Sequence, residues 1–287
     1  QIQYYISVPF NLTGYVNGVK TTISSGWYNA GTVIQIENVT YYPCKYERYV
    51  MISIKPSTVF VVDSPINVSI NFITQYYVCV KSPVPVYAIV NGTNTTFASG
   101  WYNAGTTIQI ENVTYYPSEG ERCVIVTVYP SGSFTVNSAI DLNVITVKQY
   151  YLIVNSPIPV YAIINGTNTT LVTGWYNAGT KIAIENITYY PSTVERYVIT
   201  QISPSTFILT SPLTVSVKAL QQFYVSVSSA IPVYALVNGT NTTLSSGWYN
   251  AGTKIDVENI TYYPSQGERY VITQICPSSL IINCLLY

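Results

Sequence analysis

The stretch Gly26-Trp27-Tyr28-Asn29-Ala30-Gly31-Thr32 decides how this chain is read, because the same seven residues occur four times. Its tryptophans, Trp27, Trp101, Trp175 and Trp248, are the only four in the 287-residue chain and stand 74, 74 and 73 residues apart. The surroundings repeat as well, through Glu-Asn-(Val/Ile)-Thr-Tyr-Tyr-Pro to Glu-Arg. A fixed period of this kind marks a tandem array, so the thing to explain is one module and its copying. Boundaries at the recurring glutamine give repeats 1–74, 75–148, 149–221 and 222–287.

Working outward from the motif, each repeat opens on an alternating segment such as Gln3-Tyr4-Tyr5-Ile6-Ser7-Val8, which reads as a strand. Further on, Asn91-Gly92 between β-rich flanks is the strongest short-range hairpin signal. Thr106 to Glu111 alternates cleanly, which puts Ile108 and Ile110 on one buried face. Cys123 to Val128, the region of Phe134 and Leu142 to Val147 complete the unit. No segment keeps a helical period. About seven short strands per repeat, separated by turn signals, predict an all-β chain of four tandem Ig-like β-sandwiches. The two glycines of the motif bracket an expected tight loop, with the tryptophan packed inward as its anchor. At Lys148-Gln149 and Leu220-Gln221 no Gly/Ser or Pro-rich spacer separates the repeats. A semi-rigid rod is therefore expected.

Twelve basic and twelve acidic residues cancel, so there is no electrostatic footprint for nucleic acid or anionic lipid. No apolar run approaches the roughly 18 residues needed to span a bilayer. The chain starts at Gln1, contains one methionine, Met51, and has no histidine. The first two features suggest removal of a signal peptide and secretion. The third removes the residue most used for acid–base work and metal ligation near neutrality. No Gly-x-Ser-x-Gly, phosphate cradle or calcium loop is present, so neither an enzyme nor a cofactor is expected.

Asn-x-Ser/Thr sequons fall at Asn11, Asn38, Asn67, Asn91, Asn94, Asn112, Asn165, Asn168, Asn186, Asn238, Asn241 and Asn259. In a secreted chain these are candidate sites for covalent N-glycans. The recurring Glu37, Glu111, Glu185 and Glu258, with the pairs Glu47-Arg48, Glu121-Arg122, Glu195-Arg196 and Glu268-Arg269, suggest a cross-strand ion pair tying the two strands that flank the Tyr-Tyr-Pro turn rather than catalysis, since the same site four times over suits architecture better. Tyrosines number 29 and serve either as amphipathic strand residues or as a glycan-binding face. The cysteines lie outside the repeat pattern. Cys276 with Cys284, and Cys79 with Cys123, are candidate disulfides, which leaves Cys44 free or paired between molecules; the alternative is five thiols.

The repeat breaks at its ends. Aligned on the third repeat, the fourth stops where the third continues Val215-Ser216-Val217-Lys218-Ala219, so it is expected to lack a last strand. The exposed edge and groove that result could take the N-terminal segment of another copy, through Gln1, Ile2, Gln3, Tyr4, Tyr5, Ile6 and Val8 against Leu280, Ile282, Leu285 and Leu286. Alternatively, those last apolar residues simply close the core. Donation would join copies head to tail, and such a contact gives an open filament unless it closes.

The module Gly-Trp-Tyr-Asn-Ala-Gly-Thr-x-Ile-x-Ile, bordered by Gln-Tyr-Tyr-x-x-Val, resembles β-repeats in secreted proteins of thermoacidophilic archaea. Such repeats accompany surface-layer proteins, extracellular threads and the non-catalytic tails of thermopsin-type proteases. The resemblance implies an N-glycosylated, β-rich surface protein. A thread subunit is then the leading expectation, with a surface-layer or adhesin-type binding protein, or a viral surface fibre, as alternatives. A fold that leans on few carboxylates loses little when they protonate, which suits acid.

Overall fold

The computed structural model describes residues 1–130 and 132–283, and every regular element in them is a β-strand. In the second repeat, Val86–Val90 and Thr93–Phe97 form a hairpin closed by Asn91-Gly92. The two turn residues have φ of 48° and 81°, the left-handed pair that a two-residue turn between twisted strands demands. Val86–Val90 pairs on its other side with Thr107–Ile110, which pairs with Ser133–Thr135. The result is a four-stranded antiparallel sheet, and the same sheet recurs once in each repeat.

A second sheet faces it, built on the long strand Ser69–Lys81. Gly100–Asn103 runs antiparallel to this strand, while Ile140–Asn155 pairs parallel with it from Val78↔Ile140 to Lys81↔Asn143. Between the sheets, Val78, Leu142 and Val144 from one meet Val86, Ala88, Phe97 and Ile108 from the other in a single buried cluster. Each buried aliphatic chain of this size contributes about 1.5–3 kcal/mol, so the inward half of each alternating pattern holds the sandwich together. The first and third repeats carry equivalent cores around Ile6 and Leu152.

Repeat boundaries fall inside strands. The first half of Ser69–Lys81 pairs with Glu47–Lys55 of repeat 1, and its Ile70 packs on the first core. The second half lends Tyr76 and Val78 to the second core. Leu213–Val225 behaves alike, with Val215 and Val217 in the third core and Phe223 in the fourth. Ile140–Asn155 covers the remaining boundary in sequence. The chain divides into two compact units, Gln1–Tyr116 with Cys123–Val147, and Pro117–Arg122 with Lys148–Tyr287.

Two expectations change. Gly100–Asn103 is itself a strand, and the loop is the following Ala104-Gly105, where Gly105 has φ of 84°. Within that strand the inward residue is the tyrosine. Tyr102 packs on the second core beside Phe97, and its hydroxyl donates to the Ala98 carbonyl at 2.7 Å. Neighbouring residues of a strand point to opposite faces, so Trp101 lies on the outer face. The tyrosine buries a ring while its polar tip reaches a backbone acceptor next to the core.

Truncating Ile182, 1% exposed in the third core, should cost about 2–5 kcal/mol as Ile182→Ala. Urea unfolding would read this as a lower midpoint with little change in slope.

Candidate functional site

The outer-face tryptophans form the most constant polar–aromatic constellation in the molecule. In repeat 1, Glu47–Lys55 places Arg48 opposite Gln75, and Gln75 in turn lies opposite Asn103 of Gly100–Asn103. Three strands thus set three side chains in one row across the sheet. Arg48 Nε donates to Gln75 Oε1 at 2.7 Å, and Gln75 Nε2 donates to Asn103 Oδ1 at 2.8 Å. The Arg48 guanidinium then lies over the Trp101 ring, 4.6 Å from its centroid. Tyr77 and Tyr42 meet the same indole edge-on at 5.4 and 6.0 Å.

The set recurs in both compact units. Arg122 donates to Gln149 at 2.7 Å, Gln149 to Asn177 at 2.8 Å, and the guanidinium sits 4.5 Å from Trp175, which Tyr151 approaches at 5.1 Å. Arg196 donates to Gln222 at 2.8 Å and Gln222 to Asn250 at 2.7 Å. Its guanidinium is 4.5 Å from Trp248, with Tyr224 and Tyr190 at 5.5 and 6.0 Å. Each set therefore joins an arginine of one repeat to a glutamine, asparagine and tryptophan of the next. Guanidinium over indole is the favoured cation–π pair, worth about 0.5–1 kcal/mol at an exposed site.

At Trp27 half of the set is present. Gln3 Nε2 donates to Asn29 Oδ1 at 2.9 Å, and Tyr5 meets Trp27 edge-on at 5.5 Å. No arginine covers the ring, and Trp27 is 67% exposed. The complementary half stands at Arg269, which is exposed along with Tyr263 and Tyr270.

The glutamates of the Glu-Arg pairs take other partners, which corrects the expected ion pairs. Adjacent residues of a strand face oppositely, so a glutamate next to the arginine points away from it. Glu121 instead meets Lys148 at 2.5 Å, and Glu195 accepts from Gln221 Nε2 at 2.6 Å. The hydrogen bond from Lys148 holds the Glu121 carboxyl below the usual carboxylate range and raises Lys148 in turn, the lysine being exposed and the glutamate half-buried. Glu37 bonds Lys20 of the hairpin strand Val19–Ile23 at 2.8 Å. Among the described residues no group of three or more Cys, Asp or Glu side chains is placed to hold a metal ion. No helix there is long and apolar enough to cross a membrane.

All twelve sequon asparagines are exposed. Asn91, Asn165 and Asn238 also close the hairpins with positive φ, and their Oδ1 atoms accept from the Thr107, Lys181 and Lys254 amides at 2.9 Å. Asn17 does the same for Val33 at 2.8 Å although Asn17-Gly18-Val19 is no sequon, so the turn alone accounts for asparagine here. The threonine two residues on is what the turn does not require.

The expected Cys79–Cys123 bridge is absent. Cys79 alternates with the core residues Val78 and Val80, so it faces outward, whereas Cys123 is buried. Both of their strands pair with Ile140–Asn155. Opposite faces and an intervening strand keep the sulfurs apart. Cys44 and Cys276 are exposed thiols, while Cys284, Leu285 and Leu286 lie outside the described residues.

At the ends, Gln3–Ser7 is a strand of its own repeat, antiparallel to Gly26–Asn29 and parallel to Ile66–Asn67. Ile6 is 0% and Val8 8% exposed. The N-terminal segment is thus no free donor, because its apolar side chains are already buried in the first core. Among the described residues the buried cluster of the fourth repeat is Phe223, Ala235, Leu244, Ile255 and Ile282, with Leu280 packed against it. A cavity of about 490 Å³ opens beside these residues, lined also by Val225 and Val233.

Protein-family models and curated protein sequences were compared with the chain, and none matches.

The arginine's role escaped the sequence reading, although its signal was there: Arg48, Gln75 and Trp101 recur together with one period, across repeat boundaries. Replacing Lys148 by methionine should move the Glu121 titration back up, as followed by carboxyl NMR. The stability this pair gives is present above the ordinary carboxylate pKa and fades as pH falls through the depressed value. Arg196→Ala should destabilise the unit formed by Pro117–Arg122 and Lys148–Tyr287 by about 0.5–2 kcal/mol, read as a lower unfolding midpoint.

Proposed function

We propose that this chain is the structural subunit of an extracellular, N-glycosylated filament in which copies join head to tail. The observation that carries the reading is the pair of open strand edges. In the internal junctions the strand equivalent to Gln3–Ser7 is paired at its start by the arginine strand of the preceding repeat. Tyr77 there donates its N–H to Tyr46 O at 3.0 Å, and Tyr224 donates to Val194 O at 2.9 Å. The same alternation turns the Tyr5 N–H away from Gly26–Asn29, toward the part of the opposite edge that Ile66–Asn67, paired at Ile6 and Ser7, leaves uncovered.

Glu268–Tyr270 offers the matching edge. Carried over from Arg48↔Gln75 and Glu47↔Tyr76, the internal register sets Arg269 against Gln3 and Glu268 against Tyr4 of another copy. Tyr270 then meets Ile2, and Val271 meets Gln1. The join is strand addition at an edge, with both sandwiches left folded. Ile6 and Val8 already belong to the first core, so insertion of Gln1–Val8 into the groove beside Phe223 and Leu280 drops out of the reading. A contact between unlike surfaces propagates without limit unless rotation closes a ring, which suits a semi-rigid thread. Exposed sequons on every repeat and the absence of net charge agree with an extracellular surface dressed in sugar.

Negative-stain electron microscopy and sedimentation of the purified chain at rising concentration test the assembly. Threads, or a weight-average mass that climbs steadily with concentration, are expected. A monomer at every concentration would overturn it. Intact-mass spectrometry of the native protein should show multiple N-linked additions at the Asn-Gly-Thr turns.

A further inference from the structure

We infer that the head-to-tail contact is closed by an aromatic latch between two copies, in which Arg269 of one copy stacks on Trp27 of the next. The inference rests on the filament reading above and names the side chains that would give its joint specificity.

Four observations carry it. The junction set of arginine, glutamine, asparagine and tryptophan is built three times inside the chain, with guanidinium-to-indole distances of 4.5 to 4.6 Å. Every acceptor part of that set is already assembled at the N-terminal end. Gln3 and Asn29 are bonded at 2.9 Å as in the complete sets, and Tyr5 holds Trp27 at 5.5 Å and 71°, close to the 5.5 Å and 72° of Tyr224 on Trp248. Gln3 Oε1 thus faces the side from which Arg48, Arg122 and Arg196 donate in the other repeats. Trp27 is 67% exposed, an unusual position for so large an apolar ring. The donor parts stand on the fourth repeat: Arg269 follows Glu268 as Arg196 follows Glu195, and Tyr263 occupies the place of Tyr190, which meets Trp248 edge-on.

The two halves are the same two surfaces that the chain joins internally, so a second copy is the occupant that fits both at once. In the latch, Arg269 Nε donates to Gln3 Oε1, its guanidinium covers Trp27, and Tyr263 meets the indole edge. A planar guanidinium is required, because lysine offers a point charge without the stacking face or the fixed Nε–H direction.

Trp27→Ala and Arg269→Ala each remove an exposed side chain, and circular dichroism should show both variants folded. Each alone should weaken end-to-end association about tenfold or more, and Arg269→Lys should fall between Arg269→Ala and the parent. The decisive measurement mixes the two alanine variants. Arg269→Ala copies keep an intact Trp27 end and Trp27→Ala copies keep an intact Arg269 end, so the mixture should form 1:1 dimers that grow no further, as sedimentation would read. Parent chains that assemble while the single variants assemble equally well would overturn the latch and leave the filament reading standing. Single variants that are weakened but give no dimers on mixing would also overturn it. Parent chains that never associate would end both.

Discussion

A β-strand has two edges and needs both covered, and this chain meets the requirement by letting one strand serve two repeats. Ser69–Lys81 completes a sheet of repeat 1 with its first half and founds a sheet of repeat 2 with its second. Leu213–Val225 does so for repeats 3 and 4. A cut at such a boundary would leave unpaired amide and carbonyl groups on both sides. Domains ordinarily meet at exposed, polar linkers crossed by few contacts. Here the boundary is among the best-bonded places in the chain, which is why the cores, the arginine–tryptophan sets and the two open ends all follow from the same arrangement.

The hairpins were fully legible, since Asn91-Gly92 permits almost no other turn between two β-rich flanks. So was the inward face of Ile108 and Ile110: Ile108 is buried and Ile110 packs, half-buried, against the same core. What failed was the assignment of faces within a single strand. In Trp-Tyr both residues are large and aromatic, so composition cannot say which turns inward. That is settled by register with Gln75-Tyr76-Tyr77, where Tyr76 already faces the core and Trp101 lies opposite the outward Tyr77. The Glu-Arg dipeptide misled in the same way. A cross-strand ion pair was expected, whereas a pleated strand sends the glutamate and the arginine to opposite sides. The partners of Arg48 lie 27 and 53 residues away, beyond any local pattern.

The chemistry of the repeated set bears on where such a protein can work. Arginine, glutamine, asparagine and tryptophan carry no group that changes protonation between strong acid and neutrality. The ion pairs that do titrate, such as Glu121 with Lys148 and Glu37 with Lys20, lie at the surface with their lysines exposed, where screening keeps their contribution small. Acid therefore reaches the ornaments of the fold before its joints. Exposed asparagines at the hairpin tips lie apart from the arginine–tryptophan rows in sequence, so the turns and the aromatic stacking at the junctions make separate demands on the repeat.

The shared strand also sets the response to force. Tension passing along Ser69–Lys81 enters one sheet and leaves through another without ever traversing a flexible segment. Its lateral hydrogen bonds to Glu47–Lys55 lie across the pull, so they are loaded in shear and must give way together instead of peeling one after another. Rupture under load is governed by the rate of unfolding rather than by equilibrium stability. A chain of modest cores can for that reason bear tension well, its strength residing in the direction of its bonds.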